Sequence, residues 1–95
     1  MLWRVHFEWD ATKAAANLKK HGVPFEEATT VFGDRFATTI LDRNHSTSEE
    51  RWLTTGLSSR GRIIVVWHAN RGATSRIIGA RSATASERRV YESGE

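Results

Sequence analysis

The sequence predicts a small α+β domain in which an antiparallel sheet is flanked by helices, in the order β-α-α-β-β-β-β-α. Three observations lead there. Apolar residues alternate with polar ones at the start of the chain, helix-capping signals bracket the stretch from 10 to 33, and β-rich runs separated by short polar or glycine-containing loops follow from residue 36.

In "LWRVHFEW", Trp3, Val5, Phe7 and Trp9 fall on one side and Leu2, Arg4, His6 and Glu8 on the other, the period of a half-buried strand. Asp10 then caps a helix over "ATKAAANLKKH", with Lys19, Lys20 and His21 against the negative end of its dipole and Gly22 as its stop. A second helix runs from about Pro24 through "FEEATTVF" to Gly33, where Phe25, Ala28 and Phe32, with Val31 beside them, form an apolar stripe facing the sheet. Extended runs follow: "FATTIL", "RWLTTGL", "RIIVVWHA" and "SRIIGAR". The connections "SSRG" and "NRGAT" read as hairpins, and the polar loop "DRNHSTSEE" holds His45 in a turn-forming context. Thr84 and Glu87, three residues apart, make a capping box that opens a last helix through "ASERRVYE".

The 95 residues carry a net charge of +3, and the charge is unevenly placed. Residues 1 to 50 hold six Lys/Arg against eight Asp/Glu, whereas residues 51 to 95 hold eight arginines and no lysine against three glutamates. Arginine presents planar, bidentate donors, so an all-arginine basic half points to an anionic partner, nucleic acid first among them. The chain lacks cysteine, which excludes disulfides, thiol nucleophiles and thiolate metal sites and suits a reducing compartment. No signal-peptide core and no membrane-length apolar run occur, so the expected location is the cytoplasm, with no membrane partner.

His6, His21, His45 and His68 lie on different elements without metal-ligand spacing, so no metal and no cofactor are expected; a phosphate loop and a nucleophile elbow are also missing. One chemistry needs little equipment. RNA supplies its own nucleophile, the 2′-hydroxyl, and an enzyme need only align it, move its proton and stabilise the phosphate charge. The candidates for that work are Lys20 and His21, His68 and Arg71, and Arg76 and Arg81, with Glu87 and Arg88 at the last helix; Arg62, Arg88 and Arg89 are candidate RNA-binding cations. Each has a plainer use: Lys20 and His21 as dipole complements, His68 as a satisfied partly buried histidine, Arg88 and Arg89 as a solvated helix face. Trp67 suits either core packing or stacking on a base. Arg76 and Arg81 are five apart, so a regular strand puts them on opposite faces unless a bulge at Gly79 resets the alternation; His68 and Arg76 approach each other only if their parity matches.

The ordered motifs "FEWDATKAAANLKKHGVPFEEATTVFGD", "DRNHSTSEERW", "GRIIVVWHANRG" and "SRIIGARSATASERRVYE" resemble the BrnT family of type II toxin–antitoxin toxins, over about Phe7 to Glu92. The resemblance implies one RelE-like toxin domain over residues 1–95, a ribonuclease that inhibits translation and is neutralised by a BrnA-type antitoxin, with operator DNA bound only through the antitoxin. It carries over Lys13, Asn17, Lys20 and His21, Glu49 and Arg51, Arg62, Arg71, Arg76 and Arg81, and Glu87, Arg88 and Tyr91. Pro24 departs from the small polar cap usual before "FEEA". The expectation is therefore a metal-independent endoribonuclease toxin. The alternatives are a non-catalytic nucleic-acid-binding module using the same arginines for phosphate contacts, or a protein-interaction module.

Overall fold

The computed structural model describes residues 6–44 and 49–94, so the expected strand start at 2–5 and His45 lie outside the described residues. The elements follow the expected order: β1 (His6–Glu8), α1 (Ala11–His21), α2 (Phe25–Thr30) continued by a 3₁₀ turn (Val31–Gly33), β2 (Thr38–Leu41), β3 (Trp52–Leu57), β4 (Ile63–Arg71), β5 (Thr74–Ser82) and α3 (Ala85–Ser93). The caps form as their residue types require. Asp10 accepts from the Lys13 N–H at 2.9 Å, Gly22 takes a left-handed φ of 70° that ends α1, and Thr84 and Glu87 complete the capping box of α3. Pro24 occupies the cap position of α2 in extended backbone and contributes no side-chain bond.

The sheet has five strands in the order β1-β5-β4-β3-β2. Strands β2 to β5 form the expected antiparallel meander, but β1 runs parallel to β5, with His6 opposite Thr74 and Glu8 opposite Arg76. The all-antiparallel expectation is thus corrected to a mixed sheet. Hairpin turns set the direction of neighbouring strands locally, whereas β1 meets a partner from the far end of the chain, and no local signal sets that direction.

One face of the sheet carries the core. Ile64 and Val66 of β4 and Ile77 and Ala80 of β5 pack on Val23, Phe25, Ala28 and Val31 from α2 and its flanks, with Phe7 and Trp9 at the margin. The β1 alternation puts Phe7 against Phe32 at 5.1 Å between ring centroids. Gly56 lets the 3₁₀ turn press on β3, since a Cβ there would stand 2.8 Å from Val31 Cγ1 and 2.9 Å from Ala37 Cβ. On the opposite face, α3 covers one end only, tied down by the Tyr91 hydroxyl donating to Asp34. That carboxylate also accepts from the Leu57 N–H at 2.8 Å.

Candidate functional site

The pairing of β4 with β5 slips by one residue in mid-strand. Trp67 stands opposite Gly79 and His68 opposite Ile77, which leaves Ile78 as the extra residue of a β-bulge. On either side of it Ala69 pairs with Arg76 and Val65 with Arg81. Residues 65, 67 and 69 share a face by period two, so Arg76, Arg81 and Trp67 all stand on the face that α3 leaves partly open. The bulge that the parity argument required is present, and it unites two arginines that regular pairing would have separated.

The arginines are held by carboxylates. Glu49, on the loop before β3, pairs closely with Arg76 and also reaches Arg71, whose guanidinium lies 3.6 Å from its second oxygen. Arg76 Nε is buried and has no hydrogen-bond partner among the described residues. Arg81 makes a bidentate pair with Glu87 at 2.7 and 2.9 Å, and its guanidinium stands over the Trp67 ring, 5.6 Å from the centroid. The Arg81 hydrogen bond is the main reason that the Glu87 carboxyl falls to about 2, with the Thr84 N–H adding to it against the cost of burial. Arg81 in turn is raised by the same hydrogen bond.

Helix α1 borders this face. Lys13, Asn17, Lys20 and His21 recur at the spacing of one helix face. The Asn17 amide donates to the Ala80 and Val23 carbonyls at 2.9 and 3.0 Å and its oxygen accepts from the Ala80 N–H at 3.1 Å, so it occupies the edge of β5 beyond the reach of β1. With α1 anchored there, Lys13, Lys20 and His21 line a shallow hollow together with Trp67, Ile78 and Gly79.

Two of the expected site residues, His68 and Arg62, are placed differently. His68 is 2 % exposed and points into the core face, opposite to Arg76. Its Nε2 is 2.7 Å from Thr54 Oγ1, its Nδ1 is 2.9 Å from Asn70 Oδ1, and Phe32 packs edge-on at 4.8 Å. Burial pushes its pKa below 6.5 in spite of the Asn70 bond. A proton mover at the arginine face would need the other parity, so His68 is corrected to a buried, satisfied histidine. Arg62, expected to bind RNA, is committed to Glu27 through contacts of 2.6 and 2.9 Å and to the Gly22 carbonyl at 3.1 Å, which ties the β3–β4 turn to α2. Arg88 and Arg89 are exposed on α3, with Arg88 sharing a separate hollow with Arg62 and Leu57. Glu49 reached the candidate set only through the resemblance, because its arginine partners come from distant strands. Asn17 likewise entered only through the resemblance; an amide amid the alanines of a helix is the signal that marks such a backbone anchor.

Among the described residues no three His, Cys, Asp or Glu side chains gather as a metal site, and no helix is long and apolar enough to cross a membrane. The profile of a family described as the ribonuclease toxin BrnT of type II toxin–antitoxin systems matches residues 9–87. The chain belongs to the BrnT family. No curated protein matches it in sequence. Among solved structures, the crystal structure of the Brucella abortus ribonuclease toxin BrnT is similar, with a TM-score of 0.65 and 23 % identity over 85 % of this chain and 99 % of that one. That likeness supports the fold: a BrnT-like α+β arrangement with a five-stranded mixed sheet and three helices.

Proposed function

We propose that this BrnT-family chain is a metal-independent endoribonuclease whose active face is the open side of the sheet around Arg71, Arg76 and Arg81. The observation that carries the reading is the bulge at Ile78, which turns Arg76 and Arg81 to the same face of the sheet as Trp67. A phosphate diester entering there exchanges places with the Glu49 and Glu87 carboxylates as the anionic partner of the guanidiniums. The 2′-oxygen, losing its proton, attacks the adjacent phosphorus, and the phosphorus–O5′ bond breaks as the leaving oxygen takes a proton. The products are a 2′,3′-cyclic phosphate and a 5′-hydroxyl. Arginines stabilise the charge on the phosphate oxygens, and Glu49, paired with Arg71 and Arg76, and His21, on the α1 face beside Trp67, are the proton-moving groups. Such a site is compatible with a RelE-like ribonuclease and with inhibition of translation in the cytoplasm.

Neutralisation by a BrnA-type antitoxin, with operator DNA bound only through that partner, completes the reading. It is supported by apolar surface between α3 and the edge strand β2, where Phe36, Ile40 and Val90 are 67 %, 61 % and 57 % exposed. The deciding experiment incubates the purified protein with RNA in excess chelator and maps the fragment ends. Cyclic or 3′-phosphate ends, lost in an Arg76→Ala, Arg81→Ala double mutant, are expected. Abolition by chelator, or equal cutting of DNA, contradicts the proposal.

A further inference from the structure

The Trp67 ring lies flat across the sheet on Gly79: a Cβ on that glycine would stand 3.6 and 3.7 Å from ring atoms Cδ2 and Cε2. A tryptophan opposite a glycine is a known packing device in sheets. Packing alone does not account for what surrounds it. Helix α1 has no buried residue, so it is not held to the sheet by a submerged apolar stripe. The Asn17 clamp on the Ala80 backbone contributes to holding it, and the face so turned toward the indole carries Lys13, Lys20 and His21. Over the ring stands Arg81, its guanidinium carbon 5.6 Å from the centroid, fixed there by Glu87. A half-buried indole between a cationic helix face and an arginine therefore opens on a hollow of about 250 Å³. That is below the roughly 300 Å³ at which drug-sized pockets begin. It suits one flat ring rather than a cofactor.

We propose that Trp67 is the stacking platform for the base of the nucleotide next to the scissile phosphate, a base that takes the place of the Arg81 guanidinium over the ring as the phosphate draws Arg81 from Glu87, and that Lys13 and Lys20 hold that nucleotide's own phosphate. The inference rests on the ribonuclease reading of this face and adds to it a subsite and a source of cleavage preference. Stacking accepts every base but gains with ring area, so purines are favoured at this position. The RNA backbone then runs from the arginines, which stand on either side of Trp67 along the strand, to α1.

The test is a binding cycle with a fully 2′-O-methylated RNA hexamer, which cannot be cleaved, and copies of it carrying an abasic unit at each position in turn. Removing one particular base is expected to weaken binding to the wild type about tenfold, as for loss of one stacked base. Trp67→Leu loses about the same factor with the intact hexamer and is indifferent to that abasic unit, while Trp67→Phe stays close to wild type. The inference is overturned when Trp67→Leu responds to every abasic unit as the wild type does, or when the wild type does not bind the hexamer. Coupling without any cleavage of unmodified RNA would sink the ribonuclease reading and leave the subsite standing. Cleavage at unchanged positions by Trp67→Leu would do the reverse.

Discussion

Arg76 and Arg81 share one face of the sheet although five residues separate them, because Ile78 is an extra residue in the pairing of β5 with β4. Both guanidiniums are already paired with carboxylates, Arg76 with Glu49 and Arg81 with Glu87, so the face is built to hold an anion before one arrives.

The first prediction concerns that pair. Arg76→Ala and Arg81→Ala each lower single-turnover RNA cleavage about 100-fold, the usual cost of removing one donor to a developing oxyanion. The double mutant loses less than the product of the two, since both address the same phosphate group. Arg76→Lys restores little, because a point charge cannot replace the planar fork. Full cleavage by either alanine variant would remove these residues from the mechanism.

His68 is expected to matter for stability alone. His68→Leu removes both hydrogen bonds of the buried ring, to Thr54 and Asn70, leaves the Thr54 hydroxyl with Thr39 alone, and lowers unfolding free energy by about 1–3 kcal/mol. Cleavage per folded molecule stays at the wild-type level. The pH dependence has a fixed sign: the folded pKa lies below the ordinary 6.5, so the unfolded chain binds a proton first. Wild-type stability is therefore full above pH 6.5 and declines as pH falls below it, and denaturant melts on either side of that value should show the decline weakened in His68→Leu.

Arg62 acts through Glu27. Glu27 is 5 % exposed, and the Arg62 hydrogen bond holds its carboxyl below 4.5, outweighing the cost of burial, with Ser58 donating a further bond at 2.7 Å. Arg62→Met should cost about 2 kcal/mol, less than a fully buried pair because the Arg62 side chain is 36 % exposed. A lowered carboxyl stabilises the fold above its unfolded pKa, so the difference between wild type and variant is complete above 4.5 and disappears as pH falls through the folded value. RNA affinity and its salt dependence should remain those of the wild type; a lower salt slope would return Arg62 to the binding surface.

The apolar strip beside β2 gives a separate expectation. Ile40→Asp and Val90→Asp, both at well-exposed positions, change stability by no more than about 0.5 kcal/mol and leave RNA cleavage intact. Each weakens the complex with a BrnA-type antitoxin about tenfold or more, as charges placed in an apolar interface do, and frees cleavage activity in its presence. Titration calorimetry on both variants checks this, and unchanged affinity would place the antitoxin elsewhere.

By itself the sequence determined the order of elements, the caps at Asp10, Gly22 and Thr84, the hairpins, the arginine-rich half and the family, because each is written in residues a few positions apart or in composition. Only the tertiary structure decided which arginine faces which side. Strand parity leaves two arrangements, distinguished by a bulge, and a register slip is a property of two paired strands that is not encoded at either strand alone. The same holds for β1, whose parallel direction is set by a partner at the other end of the chain, and for His68, whose burial follows from the helices that cover its face. Glu49 joined the arginines for that reason as well, because it meets Arg71 and Arg76 across the fold rather than along the chain.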